Sequence, residues 1–191
     1  IPDFTIEEKF GGLVCGVDEV GRGALCGPVV AAAVILDKSN YPDGINDSKL
    51  LSRSKRERLY TELLRSASVG LGSAQVGEVD RLNVLNAALL AMERAVSKLC
   101  LMPEMALVDG NRIPKLFCPA RSVVSGDRKS MSIAAASIMA KVTRDRLMAK
   151  LAFRHPGYGW ETNSGYGTPQ HIEAIRITGI TRHHRRGFGP V

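Results

Sequence analysis

The sequence has no long hydrophobic run. Its longest apolar stretch, residues 28–36, is far shorter than the roughly 20 residues that a helix needs to cross a bilayer. No secretory signal is recognisable either. We therefore expect a cytoplasmic protein without membrane contact. Its 191 residues suffice for one globular domain, with room for a small appendage.

Cysteine is scarce, and the chain lacks repeats, low-complexity tracts and linkers rich in proline or serine. Cys15, Cys26, Cys100 and Cys118 form no C-x-x-C pair, and a chain of this length builds a core without disulfides. We expect four reduced thiols. Nothing marks a boundary between two domains of similar size.

The charge balance is the first positive indication of function. The 26 Lys and Arg residues outnumber the 19 Asp and Glu residues and give a formal net charge of +7. Such a charge favours an anionic partner, nucleic acid among others. Basicity alone does not identify that partner.

The hydrophobic pattern predicts an α/β fold. Short apolar runs bounded by glycine or turn residues are typical of buried strands. Longer segments with an apolar residue every three or four positions are typical of helices, and Ser52 is placed to cap the first of them. The predicted strands cover residues 13–18, 28–36, 69–76, 105–108 and 122–124. The predicted helices run to about residue 66, from residue 83 to Pro103, over 131–153 and over 169–177, with a loop at 155–167.

Four carboxylates interrupt this apolar pattern. Asp18 and Glu19 close the first predicted strand, Asp109 follows the fourth, and Asp127 precedes the long helix. Each has a structural explanation when taken alone. The adjacent pair suits a solvated strand end, Asp109 an Asp-Gly turn, and Asp127 a helix N-cap.

Taken together, the four acids indicate a metal site. Ligands of open α/β sheets gather beyond the C-terminal ends of strands, and buried carboxylates need a cation. An all-oxygen donor set selects Mg²⁺ or Mn²⁺ rather than Zn²⁺. A basic protein with an acidic pocket suits phosphodiester cleavage assisted by two ions. Neighbours on a strand point to opposite faces, so we expect the strand to end between Asp18 and Glu19 and let both point inward.

A glycine-rich loop follows the acidic pair. Gly21, Gly23 and Gly27 superficially resemble a dinucleotide-binding loop, but the third glycine comes one residue late and no helix follows it. A structural turn is one interpretation. The other is that bare backbone at the two glycines approaches a sugar-phosphate while Arg22 meets a phosphate.

Histidine and serine indicate no competing site. All four histidines lie in the last quarter of the chain, without the spacing of zinc ligands. Residues 183–186 form a basic patch, which either contacts phosphate or is a solvated tail. Ser132 and Ser137 have no evident histidine partner and are expected on the helix surface.

Several blocks in this order resemble ribonuclease HII, the bacterial type 2 ribonuclease H, over nearly the whole chain. The blocks are residues 16–23 (GVDEVGRG), 46–52 (NDSKLLS), 108–112 (VDGNR), 126–127 with the helix start 132–137 and Lys141, and 155–168 (HPGYGW to GYGT). The resemblance implies an α/β fold with a ribonuclease H-like mixed sheet flanked by helices. It implies a catalytic domain of residues 1–154 and a small C-terminal helical extension of residues 155–191.

The resemblance also implies an activity. Such enzymes cleave the RNA strand of RNA/DNA hybrids and single ribonucleotides embedded in duplex DNA, leaving 3′-hydroxyl and 5′-phosphate ends. The implied ligands of two Mg²⁺ or Mn²⁺ ions are Asp18, Glu19, Asp109 and Asp127. The implied substrate contacts are Gly21, Arg22 and Gly23 on the 2′-hydroxyl, Tyr166 on the neighbouring sugar, Asn46, Ser48 and Lys49 on the backbone, and Lys141 on a phosphate.

The chain departs from the family pattern at one visible position. Gly187 stands where the tail motif His-Arg-Arg-Ser-Phe has its serine, which affects only a tail contact. Nothing in the sequence indicates an obligate dimer, so we expect a monomer.

Two other functions stay open. One is a non-catalytic basic nucleic-acid-binding protein with structural acids, which would need no Mg²⁺ and would lose affinity steeply with salt. The other is a different metal-dependent nuclease on the same fold that acts on DNA.

Overall fold

A mixed five-stranded sheet forms the centre of the protein in a computed structural model that describes residues 1–189 and Val191. The strands are β1 (Val14–Val20), β2 (Val29–Leu36), β3 (Ala67–Ala74), β4 (Met105–Asp109) and β5 (Ala120–Val123). Their order in the sheet is β3-β2-β1-β4-β5. The pairs β1/β2 and β2/β3 are antiparallel, whereas β1/β4 and β4/β5 are parallel.

Helices cover both faces and one end of this sheet. The α-helices of the described residues are α1 (Arg53–Ser66), α2 (Val76–Leu82), α3 (Val84–Val96), α4 (Met131–Arg154), α5 (Trp160–Asn163) and α6 (Pro169–Thr178). Short 3₁₀ helices cover Glu7–Lys9, Ser48–Leu50 and Gly126–Arg128. The prediction of a mixed sheet flanked by helices is confirmed. No helix of residues 1–189 is long and apolar enough to cross a membrane.

Most predicted elements exist, with shifted ends. The third strand ends at Ala74, because Val76 already begins α2, a seven-residue helix that the sequence pattern did not reveal. Helix α3 ends at Val96 rather than at Pro103, since the chain there tightens into i→i+3 hydrogen bonds. The predicted loop at residues 155–167 contains the single turn of α5.

Strand β2 divides the core into two halves. Its odd-numbered side chains pack against α3, and its even-numbered side chains pack against α1 and α4, as the alternation of a strand requires. Close approach is possible because small residues line β1: a Cβ at Gly16 would lie 2.1 Å from the carbonyl carbon of Ser132. Helix α4 therefore lies directly on the strand that carries Asp18.

The C-terminal residues pack against α4 and the start of β2. Tyr158 and Trp160 share a buried cluster with Cys26 and Met148. The four cysteines form no disulfide among the residues that the structure describes. The division into a catalytic domain and an extension at residue 155 stays a prediction.

Candidate active site

The C-terminal ends of β1 and β4 carry three of the four predicted acids. The parallel register pairs Val17 with Val108, so that Asp18 and Asp109 are the next residues on adjacent strands. Asp18 is only 6% exposed. Burial raises the pKa of Asp18 well above its ordinary value, and the negative charges of Glu19 and Asp109 raise it further. A buried carboxylate and a half-buried one, both negatively charged and at the same sheet edge, are costly without a cation.

The expectation that β1 ends between Asp18 and Glu19 is wrong. The strand continues to Val20, because Glu19 and Val20 still pair with β2. The two acids consequently point to opposite faces, Asp18 toward Ser137 of α4 and Glu19 toward α3. Both still face Asp109, whose charge raises the pKa of each.

Asp109 connects β4 to the segment that carries the fourth acid. Its Oδ1 accepts a hydrogen bond of 2.6 Å from the backbone N–H of Gly126. The pKa of Asp109 is raised by burial, lowered by this hydrogen bond and raised again by the charge of Asp127. Asp127 is buried and is not the N-cap of α4, because Ser130 holds that position and accepts from the N–H of Ile133.

A lysine reaches this acidic group from the 3₁₀ helix Ser48–Leu50. Lys49 Nζ donates to Asp127 Oδ2 at 3.0 Å and lies 4.0 Å from Asp47 Oδ1. Burial lowers the pKa of Lys49, but the hydrogen bond and charge of Asp127, with the charges of Asp47 and Asp18, raise it by more. The chain therefore supplies one cation of its own to the site.

The expectation that Ser132 and Ser137 lie on the helix surface is wrong. Both are buried, because the first turns of α4 are covered on all sides. Ser137 Oγ lies 2.7 Å from Ser48 Oγ, and its hydroxyl hydrogen bond lowers the pKa of Asp18. The N–H of Ser132 donates to the buried Glu7. Ser137 thus belongs to the site, which its sequence context did not reveal.

A cavity of about 330 Å³ opens over these groups. Beside the acids of β1 and β4 it is lined by Ser48, Lys49, Ser137, Lys141 and Tyr166. Lys141 Nζ donates to Asp145 at 2.7 Å. The basic and aromatic side chains predicted to contact substrate are therefore grouped around the carboxylates.

A second cavity of about 60 Å³ lies on the α3 side of Glu19 and Asp109. Arg22 lines it and donates to Glu19 Oε1 at 3.3 Å. Gly23 lies next to Tyr166, since a Cβ at that position would be 4.0 Å from the Tyr166 ring. The glycine loop and the tyrosine are thus adjacent.

Asn46 lies outside the group of side chains that line the larger cavity. Its Oδ1 accepts from the backbone N–H of Asp47 at 2.9 Å. Its predicted contact with the nucleic-acid backbone stays a prediction.

The donor set fits a hard divalent cation. Residues 1–189 hold no three His, Cys, Asp or Glu side chains already gathered as a metal cage. Nevertheless, Glu19 Oε2 is buried without a hydrogen-bond partner, and the pKa values of Asp18, Glu19 and Asp109 are all raised. The four acids offer only oxygen atoms, the ligands that Mg²⁺ and Mn²⁺ prefer.

The prediction for residues 183–186, phosphate contact or solvated tail, is wrong for two of them. His184 is 2% exposed and Arg185 is fully buried. Their neighbour Arg186 is exposed. Arg144 of α4 is also fully buried, and sequence reasoning gave it no role.

Comparisons with known proteins identify the family of the chain. The sequence model of the ribonuclease HII family matches residues 15–189. A ribonuclease HII from Jannaschia sp. (strain CCS1) is 57% identical over 191 residues, covering 100% of this chain and 96% of the relative.

Solved structures share the fold. The ribonuclease H2 from Pyrococcus horikoshii OT3 has a TM-score of 0.79 and 27% identity, covering 94% of this chain and 95% of that one. The structure of the PCNA:RNase HII complex from Archaeoglobus fulgidus contains a chain with a TM-score of 0.80 and 26% identity, covering 93% and 96%. With acids at the ends of β1 and β4 and a match along nearly its whole length, the chain belongs to the ribonuclease HII family of endoribonucleases, which cleave the RNA strand of RNA/DNA hybrids.

Proposed function

We propose that the carboxylates at the ends of β1 and β4, with Asp127, are the centre at which this endoribonuclease hydrolyses the RNA strand. One observation carries the proposal. Asp18 and Asp109 lie on adjacent parallel strands in a buried, acidic setting that raises the pKa of both. Such a cluster is destabilising in the free protein unless a cation offsets it.

A solved structure with the same fold, that of Bst-RNase HIII, is a complex with Mn²⁺. Our proposal for this chain is that Asp18 and Asp109 contact two Mg²⁺ or Mn²⁺ ions, while Glu19 and Asp127 each complete one. When bound, the two ions supply the positive charge that activates the attacking water and stabilises the leaving oxygen.

The chain's own groups hold these carboxylates in place. The N–H of Gly126 orients Asp109, Arg22 orients Glu19, and Lys49 orients Asp127. A site whose ligands are already oriented loses less conformational entropy when it is loaded.

The surroundings of the acids suit a strand that contains ribose. Open space in front of Gly23 leaves its backbone accessible beside the Tyr166 ring. Backbone N–H and C=O groups can bind a 2′-hydroxyl, the group that separates RNA from DNA at one nucleotide. We propose that residues 21–23 bind this hydroxyl and that Tyr166 stacks on the neighbouring sugar, also at a single ribonucleotide in duplex DNA.

The exposed cations of the site suit phosphate. The side chain of Lys49 is 73% exposed and that of Arg22 is 51% exposed, although each also touches an acid. Ser48, Lys49 and Lys141 line the larger cavity, and Arg22 lines the smaller one. We propose that they contact the sugar-phosphate backbone on either side of the cleaved bond.

The test uses Asp18→Asn and Asp109→Asn with three substrates: a long RNA/DNA hybrid, duplex DNA with one ribonucleotide, and the same duplex without it. Both variants should lose cleavage of the first two substrates and keep their affinity for the hybrid in chelator. Asp43→Asn, which removes one exposed charge, should behave like the wild type.

Near-normal turnover in either active-site variant contradicts the proposal. Cleavage of the all-DNA duplex by the wild type would favour the DNA nuclease. Hybrid binding without cleavage in Mg²⁺ or Mn²⁺ would favour the non-catalytic binding protein.

A further inference from the structure

Two buried arginines converge on the glycine loop (residues 21–23). Arg144 comes from α4 and Arg185 from the C-terminal segment, and both are fully buried. Neither forms an ion pair within 4.0 Å in the described part of the chain. A buried charge without a counter-ion is costly and calls for an explanation.

The partners of Arg185 are backbone carbonyls of the loop and of the residues after it. Its Nη2 donates to the carbonyl of Gly21 at 2.6 Å, its Nη1 to that of Arg22 at 2.9 Å, and its Nε to that of Gly27 at 3.0 Å. Its own N–H donates to the carbonyl of Leu25 at 2.8 Å. The planar guanidinium thus bridges the beginning and the end of one turn, which a single ammonium group cannot do with the same geometry.

Arg144 holds the same turn from the other side. Its Nε and Nη2 donate to the carbonyls of Pro28 and Cys26, and its Nη1 donates to that of Ser164 at 2.7 Å. The guanidinium carbon lies 5.5 Å from the centre of the Tyr166 ring. Gly21 has φ +92°, and a Cβ there would lie 2.1 Å from Arg144 Nε.

The loop and the tyrosine are consequently parts of one fixed unit. The N–H of Leu25 donates to the carbonyl of Gly165 at 2.8 Å, and Ala24 pairs with Tyr166 as an isolated bridge. Burial and the charge of Arg144 lower the pKa of Arg185 to about 10. The protein therefore retains two unfavourably placed cations at the turn that we propose to bind ribose.

We propose that Arg185 is a positioning residue for substrate selection. By fixing the carbonyls of Gly21 and Arg22, it presents the glycine loop to the 2′-hydroxyl in a preformed arrangement. Arg144 holds the Tyr166 ring beside that loop. This inference rests on the proposed role of residues 21–23. Preformed binding groups avoid the entropic cost of ordering a loop during association.

The first measurement is the affinity for duplex DNA with and without one ribonucleotide, in chelator, which separates binding from cleavage. The wild type should prefer the ribonucleotide, and Arg185→Lys should lose most of that preference while its affinity for the all-DNA duplex stays the same. Arg186→Lys is the matched control, since that neighbouring arginine is exposed.

The outcomes separate this inference from the proposed function. A preference in Arg185→Lys equal to the wild type's, or an equal loss of affinity for both duplexes, overturns the positioning role alone. A wild type without any preference overturns the role of the glycine loop and this inference with it.

Hydrogen exchange distinguishes positioning from general stabilisation. Arg185→Lys should exchange faster at residues 20–27 and 164–166 only. Unchanged exchange there, or faster exchange throughout the protein, contradicts the inference. If Arg185→Lys does not fold, Arg144→Lys undergoes both measurements, because its side chain holds the same turn through Cys26 and Pro28. For Arg144→Lys we expect the same results as for Arg185→Lys, and the same outcomes would contradict the inference.

Discussion

Lys49 Nζ lies 3.0 Å from Asp127 Oδ2, so a side chain of the protein itself neutralises one of the proposed metal ligands. The same ammonium group lies 4.0 Å from Asp47. It holds Asp127 in place in the free protein, but it also opposes the approach of a second cation. Lys49 therefore has two opposite effects: it orients Asp127, and its charge lowers the affinity of the site for a metal ion.

Replacing Lys49 by Met should tighten the binding of Mg²⁺ and Mn²⁺. The repulsion between one positive charge and a divalent ion about 4 Å apart is roughly 2 kcal/mol in an aqueous environment, which corresponds to about a thirtyfold lower dissociation constant once the charge is removed. Titration calorimetry on the metal-free protein measures it. Lys55→Met, at an exposed position, should change nothing. Weaker metal binding in Lys49→Met would show that Lys49 organises the site more than it competes for it.

The two outer glycines of the loop should respond differently to alanine. Gly21→Ala should lower the unfolding free energy by roughly 1–3 kcal/mol, because its φ is +92° and its Cβ would collide with buried Arg144. Gly23→Ala meets only open space and Tyr166, so it should keep its stability and lose cleavage. Thermal melts and initial rates on both substrates measure the contrast. Equal loss of stability in both variants would contradict it.

Tyr166→Ala should reduce cleavage at a lone ribonucleotide more than cleavage of a long hybrid. A lone ribonucleotide offers one junction for the ring to contact, and the about 1–3 kcal/mol that a base gains by stacking on an aromatic ring is an upper limit for contact with a sugar. Tyr166→Phe keeps the ring and serves as the control. Steady-state kinetics on the two substrates give the ratio. Equal losses on both would contradict a role at the junction.

The acids were predictable because each broke a pattern that its own neighbours established. Asp18 and Asp109 end apolar runs, and parallel strands bring such ends together. The end of β1 was not predictable in the same way. Glu19 and Val20 belong to the strand because β2 pairs with them, and that pairing depends on residues far along the chain.

The two arginines show where sequence reasoning stops. The burial of Arg144 was predictable from the sequence, since it lies four residues from both Ala140 and Met148 on the buried face of α4. The contacts of Arg185 were not predictable, because its partners are backbone carbonyls, which every residue has. Gly187 proved harmless to packing, because a Cβ there would meet nothing within 4 Å and a serine fits equally well.

A histidine pair beside Tyr166 is hydrogen-bonded at all four ring nitrogens in its neutral form. His171 Nδ1 lies 2.9 Å from the carbonyl of Tyr166, and its Nε2 accepts from Trp160 Nε1 at 3.0 Å. His184 Nδ1 accepts from the N–H of Thr181 at 2.9 Å, which leaves its Nε2 to donate across 3.2 Å to His171 Nε2. A proton added to either ring would set two N–H groups against each other.

The protein should therefore lose stability between about pH 6.5 and pH 4. Burial, then the charge of His171 and the nearby His183 and His155, lower the pKa of His184 to about 4, while an unfolded histidine titrates near 6.5. In that window only the unfolded chain binds the proton, so the free energy of unfolding falls by about 1.4 kcal/mol per pH unit for this group. The contribution is complete above the window and lost below it. Urea unfolding at a series of pH values measures the slope. His184→Gln should flatten it, whereas an unchanged slope in His184→Gln would assign the acid sensitivity to other groups.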